Sequence, residues 1–253
     1  MLATRIIPCL LYRSGSLVKT VRFKKPEYVG DPVNAIKIYN GKEVDELIFL
    51  DITATAENRE PDLETLKEVA TECFMPLTYG GGISSLGQVR EILRVGVEKV
   101  SFNSAALNNP QLITETAKAF GTQCVIVSID VKKDIWGRYE VHGDRATHGT
   151  NHNPVDFARK MEGAGAGEIL LTAVHREGTW DGFDLELIEK VSESVRIPVI
   201  AHGGGGTLGH IKDAVKLGKA SAVALGSMVV FQKKGMGVLI NFPKRKQLLE
   251  MLS

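Results

Sequence analysis

Asp130 closes the apolar run CVIVSID (124–130), and Asp51 lies near the end of ELIFLDI (46–52). An acid buried beside β-branched residues is costly unless it is used or paired. Asp130 is therefore read as a general acid or base, with a structural cap of the following loop as the alternative. Asp51 has a weaker claim to the same role. His175 and His202 stand at the ends of two further apolar runs, EILLTAV (168–174) and PVIAH (198–202). Two histidines with no third ligand in obvious spacing read as polar pocket residues. No metal and no cofactor is expected. His142, His148 and His152 straddle Gly149 and read as part of a solvated loop.

A second signal comes from glycines. The stretch MPLTYGGGISSLGQVREILRVGVEKVSFNSAAL, from Met75, recurs in pattern from Ile197 as IPVIAHGGGGTLGHIKDAVKLGKASAVALGSMV. Pro76, Gly81, Gly82, Gly87 and Gly96 return at one offset as Pro198, Gly203, Gly204, Gly209 and Gly218, close to half the chain later. A repeat this long is no solenoid unit and points to two similar half-domains. Each half reads as buried strand, glycine turn, amphipathic helix, buried strand. Glycines let backbone N–H groups turn outward, and a helix N-terminus behind them adds positive potential. The product is an anion cradle that suits phosphate. Two cradles would hold a ligand with a phosphate at each end. The alternative is that these glycines only make tight turns.

Positioning such residues requires regular elements. Strand-like runs are RIIPCL (5–10), ELIFLDI (46–52), PLTYG (76–80), KVSFN (99–103), CVIVSID (124–130), EILLTAV (168–174), PVIAH (198–202) and AVALGS (222–227). Their unbroken apolar character fits strands covered on both faces, as in a parallel sheet. Helical patterns alternate with them at Pro32–Tyr39, Asp62–Glu72, Leu86–Arg94, Pro110–Ala119, Pro154–Glu162, Asp184–Ser194, Leu208–Lys216 and Lys244–Leu252. Pro32, Pro110 and Pro154 fall near helix starts, where a missing N–H costs little. Eight strand–helix units in 253 residues are the count of a (β/α)8 TIM barrel, expected as one domain over 1–253 and built from two similar half-barrels. A doubly wound open sheet does not explain the repeat. Two polar loops stand out, Leu11–Gly30 with Lys19, Arg22, Lys24 and Lys25, and Val131–Asn153.

The net charge of +1 points neither to nucleic acid nor to a membrane surface, and no apolar run is long enough to span a bilayer. The N-terminal stretch lacks the pattern of a signal peptide. Cys9, Cys73 and Cys124 are far apart and read as reduced cytoplasmic thiols.

In a barrel the C-terminal ends of the strands carry the site. Leu11, Asp51, Gly82, Asn103, Asp130, His175, His202 and Gly226 fall there. Arg5, Glu46, Lys99 and Glu168 begin strands 1, 2, 4 and 6 at the opposite end. Two cations and two anions around a narrow mouth would form a closed charged layer. The alternative is four separate surface ion pairs, which contribute little.

Over nearly its whole length the chain resembles the HisF family, the cyclase barrel of imidazole glycerol phosphate synthase. The matching stretches are RIIPCL, Gly30-Asp31-Pro32, DELIFLDITA from Asp45, YGGGI from Tyr79, KVSFNSAA from Lys99, Ser128–Asp130, GAGEILLT from Gly165 and REGTWDGFD from Arg176. The resemblance implies a barrel that docks a HisH-type glutaminase at its bottom face and conducts ammonia to the top. It implies that Arg5, Glu46, Lys99 and Glu168 form the ammonia gate and that Thr78 and Ser101 line the path. It places phosphate sites at Gly82, Asn103 and Ser104 in one half, and at Gly178, Gly204 and Gly226 in the other.

The chain departs from the family at the top. The family's cyclase uses an aspartate at the end of strand 1 and another at the end of strand 5. The second is Asp130, but Leu11 stands at the first, so the acid–base pair is broken. His175 and Glu177 stand where the family has aspartates, and His202 where it has serine. Lys19 is kept beside Asp130 as a catalytic candidate. This pattern resembles a side branch of the family, the acetamidino modification proteins of bacterial surface-sugar biosynthesis. Its members work with a HisH-like glutaminase and a separate sugar amidotransferase. A true cyclase subunit and a barrel that only activates its glutaminase are the other readings.

Overall fold

The computed structural model describes residues 4–252. Eight parallel strands form the barrel: β1 (Arg5–Arg13), β2 (Leu47–Asp51), β3 (Leu77–Gly80), β4 (Lys99–Phe102), β5 (Val125–Lys133), β6 (Glu168–Ala173), β7 (Val199–His202) and β8 (Ala222–Leu225). Neighbours in sequence are neighbours in the sheet, and β8 returns to β1 in register, with Arg5 beside Ala222 and Pro8 beside Leu225. The sheet therefore has no open edge among these strands, and the (β/α)8 expectation holds.

Eight helices cover the outside: α1 (Pro32–Asn40), α2 (Leu63–Glu72), α3 (Leu86–Arg94), α4 (Pro110–Phe120), α5 (Pro154–Ala164), α6 (Leu185–Ser192), α7 (Leu208–Lys216) and α8 (Arg245–Leu252). Short polar side chains start several of them. Asp31, Asp62, Ser85, Asn153, Asp184 and Thr207 each accept a hydrogen bond from a backbone N–H of the first turn, which satisfies donors the helix cannot. Two further short helices, Ser104–Asn108 and Ser227–Val230, follow β4 and β8 at matching places in the two halves.

Strand alternation divides the apolar residues into two separate cores. The larger lies between strands and helices and includes Tyr39, Phe49, Tyr79, Phe102 and Val127. The smaller fills the barrel with Ile7, Cys9, Leu11, Ile48, Ile126, Leu170, Ile200, Ala222 and Ala224. Small residues on β8 sit among bulkier ones on β1, β2, β5 and β6, so the interior is packed.

The two stretches expected to be polar loops are ordered hairpins. β1 runs on to Arg13, turns at Ser14 and Gly15 (φ 47° and 85°), and pairs with Ser16–Val21, which pairs in turn with Lys24–Gly30. β5 likewise continues to Lys133 and pairs with Tyr139–Gly143. The Asp134 carboxylate ties that second turn by accepting from the N–H groups of Trp136 and Arg138 at 2.9 and 2.8 Å. The first hairpin folds over the barrel mouth, so Lys19 and Thr20 are buried rather than solvated.

Candidate functional site

At the N-terminal end of the strands the four charged residues meet. Arg5 forks across two carboxylates, with Nη1 2.6 Å from Glu46 Oε2 and Nη2 2.6 Å from Glu168 Oε2. Lys99 Nζ closes the circuit at 2.8 Å from Glu46 Oε1 and 2.8 Å from Glu168 Oε1. The result is a continuous ring rather than separate surface pairs. Burial pushes Glu168 upward, but the hydrogen bonds and charges of Arg5 and Lys99 outweigh it and hold the carboxyl below its usual range. Thr78 Oγ1 donates to Glu46 Oε1 at 3.2 Å from just inside the ring. Ser101 stands further along, with its buried hydroxyl unpaired by any protein group.

The other end opens into a cavity of about 390 Å³. Leu11, Leu50 and Ile52 give it an apolar wall, and Asn103, Asp130, Thr172, Glu177 and His202 give it a polar one. Burial raises Asp130 to about 7, against hydrogen bonds from Thr172 and Asn103 that favour the ionised form. Asn103 Nδ2 donates to Asp130 Oδ2 at 3.1 Å and to the Ser128 carbonyl at 3.0 Å. Leu11, 6% exposed, brings a side chain with no polar atom to the same cavity.

Lys19 and Glu177 lie within electrostatic range of each other. Lys19 Nζ donates to the Cys9 carbonyl at 3.0 Å. Burial pulls the ammonium downward, while Cys9 and Glu177 favour its charge. Glu177 pins the first hairpin: it accepts from Thr20 Oγ1 at 2.9 Å and from the Phe23 N–H at 3.0 Å. Burial nonetheless raises Glu177. Burial, with Lys19 nearby, lowers His202 to about 3, so its imidazole is neutral at ordinary pH.

The glycine loops flank the two cavities. Gly82 and Ser104 line the first, with Arg145 and His148 of the second hairpin reaching over it. Gly178 and Ser227 line a second cavity of about 610 Å³ that also meets Lys19, Arg22, Lys25 and Lys234. Gly226 lies against Lys19 Nζ. Gly82 and Gly204 have φ of 69° and 105°, and a Cβ on either would run into a neighbouring backbone carbonyl, that of Arg59 or of Gly182. Close loop packing thus requires these glycines whether or not an anion binds, and the tight-turn reading is part of the answer.

Three expectations need adjustment. His175 lines neither cavity; its Nε2 turns aside to Asp184 Oδ2 at 2.9 Å, at the start of α6. Burial raises Asp184, but bonds from His175 and Tyr139 prevail and hold it at about 2. Asp51 borders the first cavity with its carboxylate already engaged by Thr53, Ala54 and Arg59, the last at 3.0 Å. It organises the loop after β2, the capping role, rather than standing as a free base. His148 is a cavity-lining residue and not only a solvated one. Thr172 and Arg145 went unnoticed in the sequence; strand register alone could have found Thr172, one place before the end of β6.

A closed parallel barrel with a charged ring at one end and paired glycine loops at the other is a small-molecule enzyme scaffold. Residues 5–234 match the family described as histidine biosynthesis protein, and the chain belongs to that family as a HisF-type member. It is 49% identical over 243 residues to a Pseudomonas aeruginosa protein provisionally named imidazole glycerol phosphate synthase subunit hisF2, covering 96% of this chain and 97% of that one. A Vibrio vulnificus protein provisionally named subunit hisF3 is 42% identical over 255 residues, covering 99% and 98%. Among the described residues no helix is long and apolar enough to cross a membrane.

Proposed function

We propose that this chain receives ammonia from a HisH-type glutaminase at the N-terminal face of its barrel and delivers it to the top. There it supports acetamidino-group formation on a bacterial surface sugar of the lipopolysaccharide type, together with a sugar amidotransferase in the cytoplasm. The reading rests on one asymmetry. The bottom keeps all four charged residues in a closed ring, while the top carries Leu11 where ring-closing chemistry needs a carboxylate. Ammonia passes the ring and moves along Thr78 and Ser101. A phosphorylated small molecule spans the two cradles, Gly82, Asn103 and Ser104 on one side and Gly178, Gly204 and Gly226 on the other. Asp130 and Lys19 are the acid–base groups beside it. A cyclase subunit of histidine biosynthesis is the second reading, favoured by the names of the two relatives.

Passage through the ring requires one cation to move. Arg5 is held by its planar fork to both carboxylates. Lys99 is a point charge on a flexible stem and is the easier to swing. In an assay with glutaminase and sugar amidotransferase, Lys99→Ala is expected to preserve glutamine hydrolysis. Acetamidino product per glutamine consumed should fall and free ammonium should rise. Unchanged coupling would reduce the ring to a set of structural ion pairs.

A further inference from the structure

Three neighbouring strands set three polar side chains in one row. Thr172 on β6 is the register partner of Asp130 on β5 and of His202 on β7. All three are buried and line the same cavity. Thr172 Oγ1 lies 3.2 Å from His202 Nδ1, and on its other side the threonine is in register with Asp130, whose ionised form it favours. A hydroxyl is both donor and acceptor. Placed between a carboxyl and an imidazole, it makes the state of one depend on the state of the other.

We propose that Asp130, Thr172 and His202 form a proton relay that replaces the carboxylate missing at Leu11 and serves the addition of ammonia to a carbonyl-type carbon of the bound ligand. The ammonia comes from the function proposed above; the relay itself stands without it.

The relay has two states. With Asp130 ionised, the Thr172 hydroxyl donates to the carboxylate and accepts from His202 Nδ1–H, leaving a lone pair on Nε2. With Asp130 protonated, the carboxyl donates to Thr172, the hydroxyl donates to Nδ1, and Nε2 carries the proton. Addition starts from protonated Asp130 with the imidazole proton on Nε2. As the nitrogen of ammonia bonds to carbon, the π pair of the carbonyl moves to its oxygen. Nε2 delivers its proton to that oxygen while the Asp130 proton moves through Thr172 to Nδ1, which leaves Asp130 ionised and Nε2 bare. Nε2 then takes a proton from the added nitrogen as Nδ1–H returns one through Thr172 to Asp130, and the products are the neutral carbinolamine and the starting relay. No oxidant or further reactant is needed.

The groups facing the row are few. Burial, and then Lys19 from the first hairpin, disfavour a charged His202, so this imidazole changes tautomer without charging. Glu177 faces Asp130 from the loop after β6, and Cys9 lies nearby on β1. Asn103 on β4 donates to the carboxylate. Asp144, Arg145 and His148 border the same cavity from the second hairpin.

Ring-nitrogen NMR of the full chain labelled with ¹⁵N-histidine reads the tautomer directly, with no ligand or glutaminase present. The shifts of His202 Nδ1 and Nε2 are expected to exchange as pH crosses about 7, where Asp130 titrates. Thr172→Ser should keep the exchange. Thr172→Val should lose it while the Asp130 carboxyl, followed by ¹³C, still titrates. A wild-type tautomer that stays fixed through the Asp130 titration would overturn the relay. So would a Thr172→Val protein that switches with the same midpoint. If that variant fails to fold, Asp130→Asn decides: the relay requires one tautomer at every pH, and a surviving switch near 7 contradicts it. Loss of glutaminase coupling would leave these signals untouched, so the two proposals fail separately.

Discussion

Given the ribulosyl substrate of the HisF cyclases and saturating ammonium at alkaline pH, this chain is expected to make little or no imidazole glycerol phosphate. Free ammonium bypasses any glutaminase, so the assay reads the top of the barrel alone. Ring closure requires protons to be removed and delivered at two points, and a positioned acid or base is typically worth about 10²- to 10⁴-fold in rate. Leu11 has no proton to give or accept, and it lines the same cavity as Asp130. Leu11→Asp alone should restore only a trace, because Glu177 is bound to Thr20 and Phe23 and His202 is bound to Thr172. Turnover by the unmodified chain in the common range of about 1–10³ s⁻¹ would favour the cyclase reading instead.

Asp130→Asn is expected to stabilise the barrel at pH 8 by on the order of 3 kcal/mol. The sign follows from linkage. An unfolded aspartate ionises near 3.8, whereas burial holds the folded one to about 7. The contribution that favours folding is complete below the unfolded value and is lost as pH rises through the folded one. Above neutrality the native protein holds an ionised, desolvated carboxylate. Asparagine keeps the shape and an acceptor oxygen for Thr172 and carries no charge. For a chain of this length the gain corresponds to a melting-temperature rise of roughly 6–12 °C. The difference between the two proteins should grow between about pH 4 and 7 and then level off. Thermal melts across that range check it, and a pH-independent difference would mean that Asp130 is solvated.

The barrel was legible because its strands are unbroken β-branched runs, which only a sheet covered on both faces can bury. The ring was legible for the same reason: Arg5, Glu46, Lys99 and Glu168 each open such a run, so barrel closure must bring them to one mouth. The hairpins were less so. Lys19 in SLVKTV looks solvated until the strand folds across the mouth and buries it. His175 misled for a local reason. It lies beyond the last residue of β6, in a turn whose direction strand alternation no longer governs, and Asp184 at the start of α6 captures it. Thr172 looks ordinary within EILLTA; only its register between Asp130 and His202 gives it meaning.

The central claim is that the charged end of the barrel meets a glutaminase and takes its ammonia. Titrating this chain into the cognate HisH-type subunit, while following glutamate released from glutamine, tests it most directly. The account predicts co-elution in gel filtration and a saturable rise in glutaminase turnover that levels off at one barrel per glutaminase. Separate elution together with glutaminase turnover that does not respond to the barrel would contradict it.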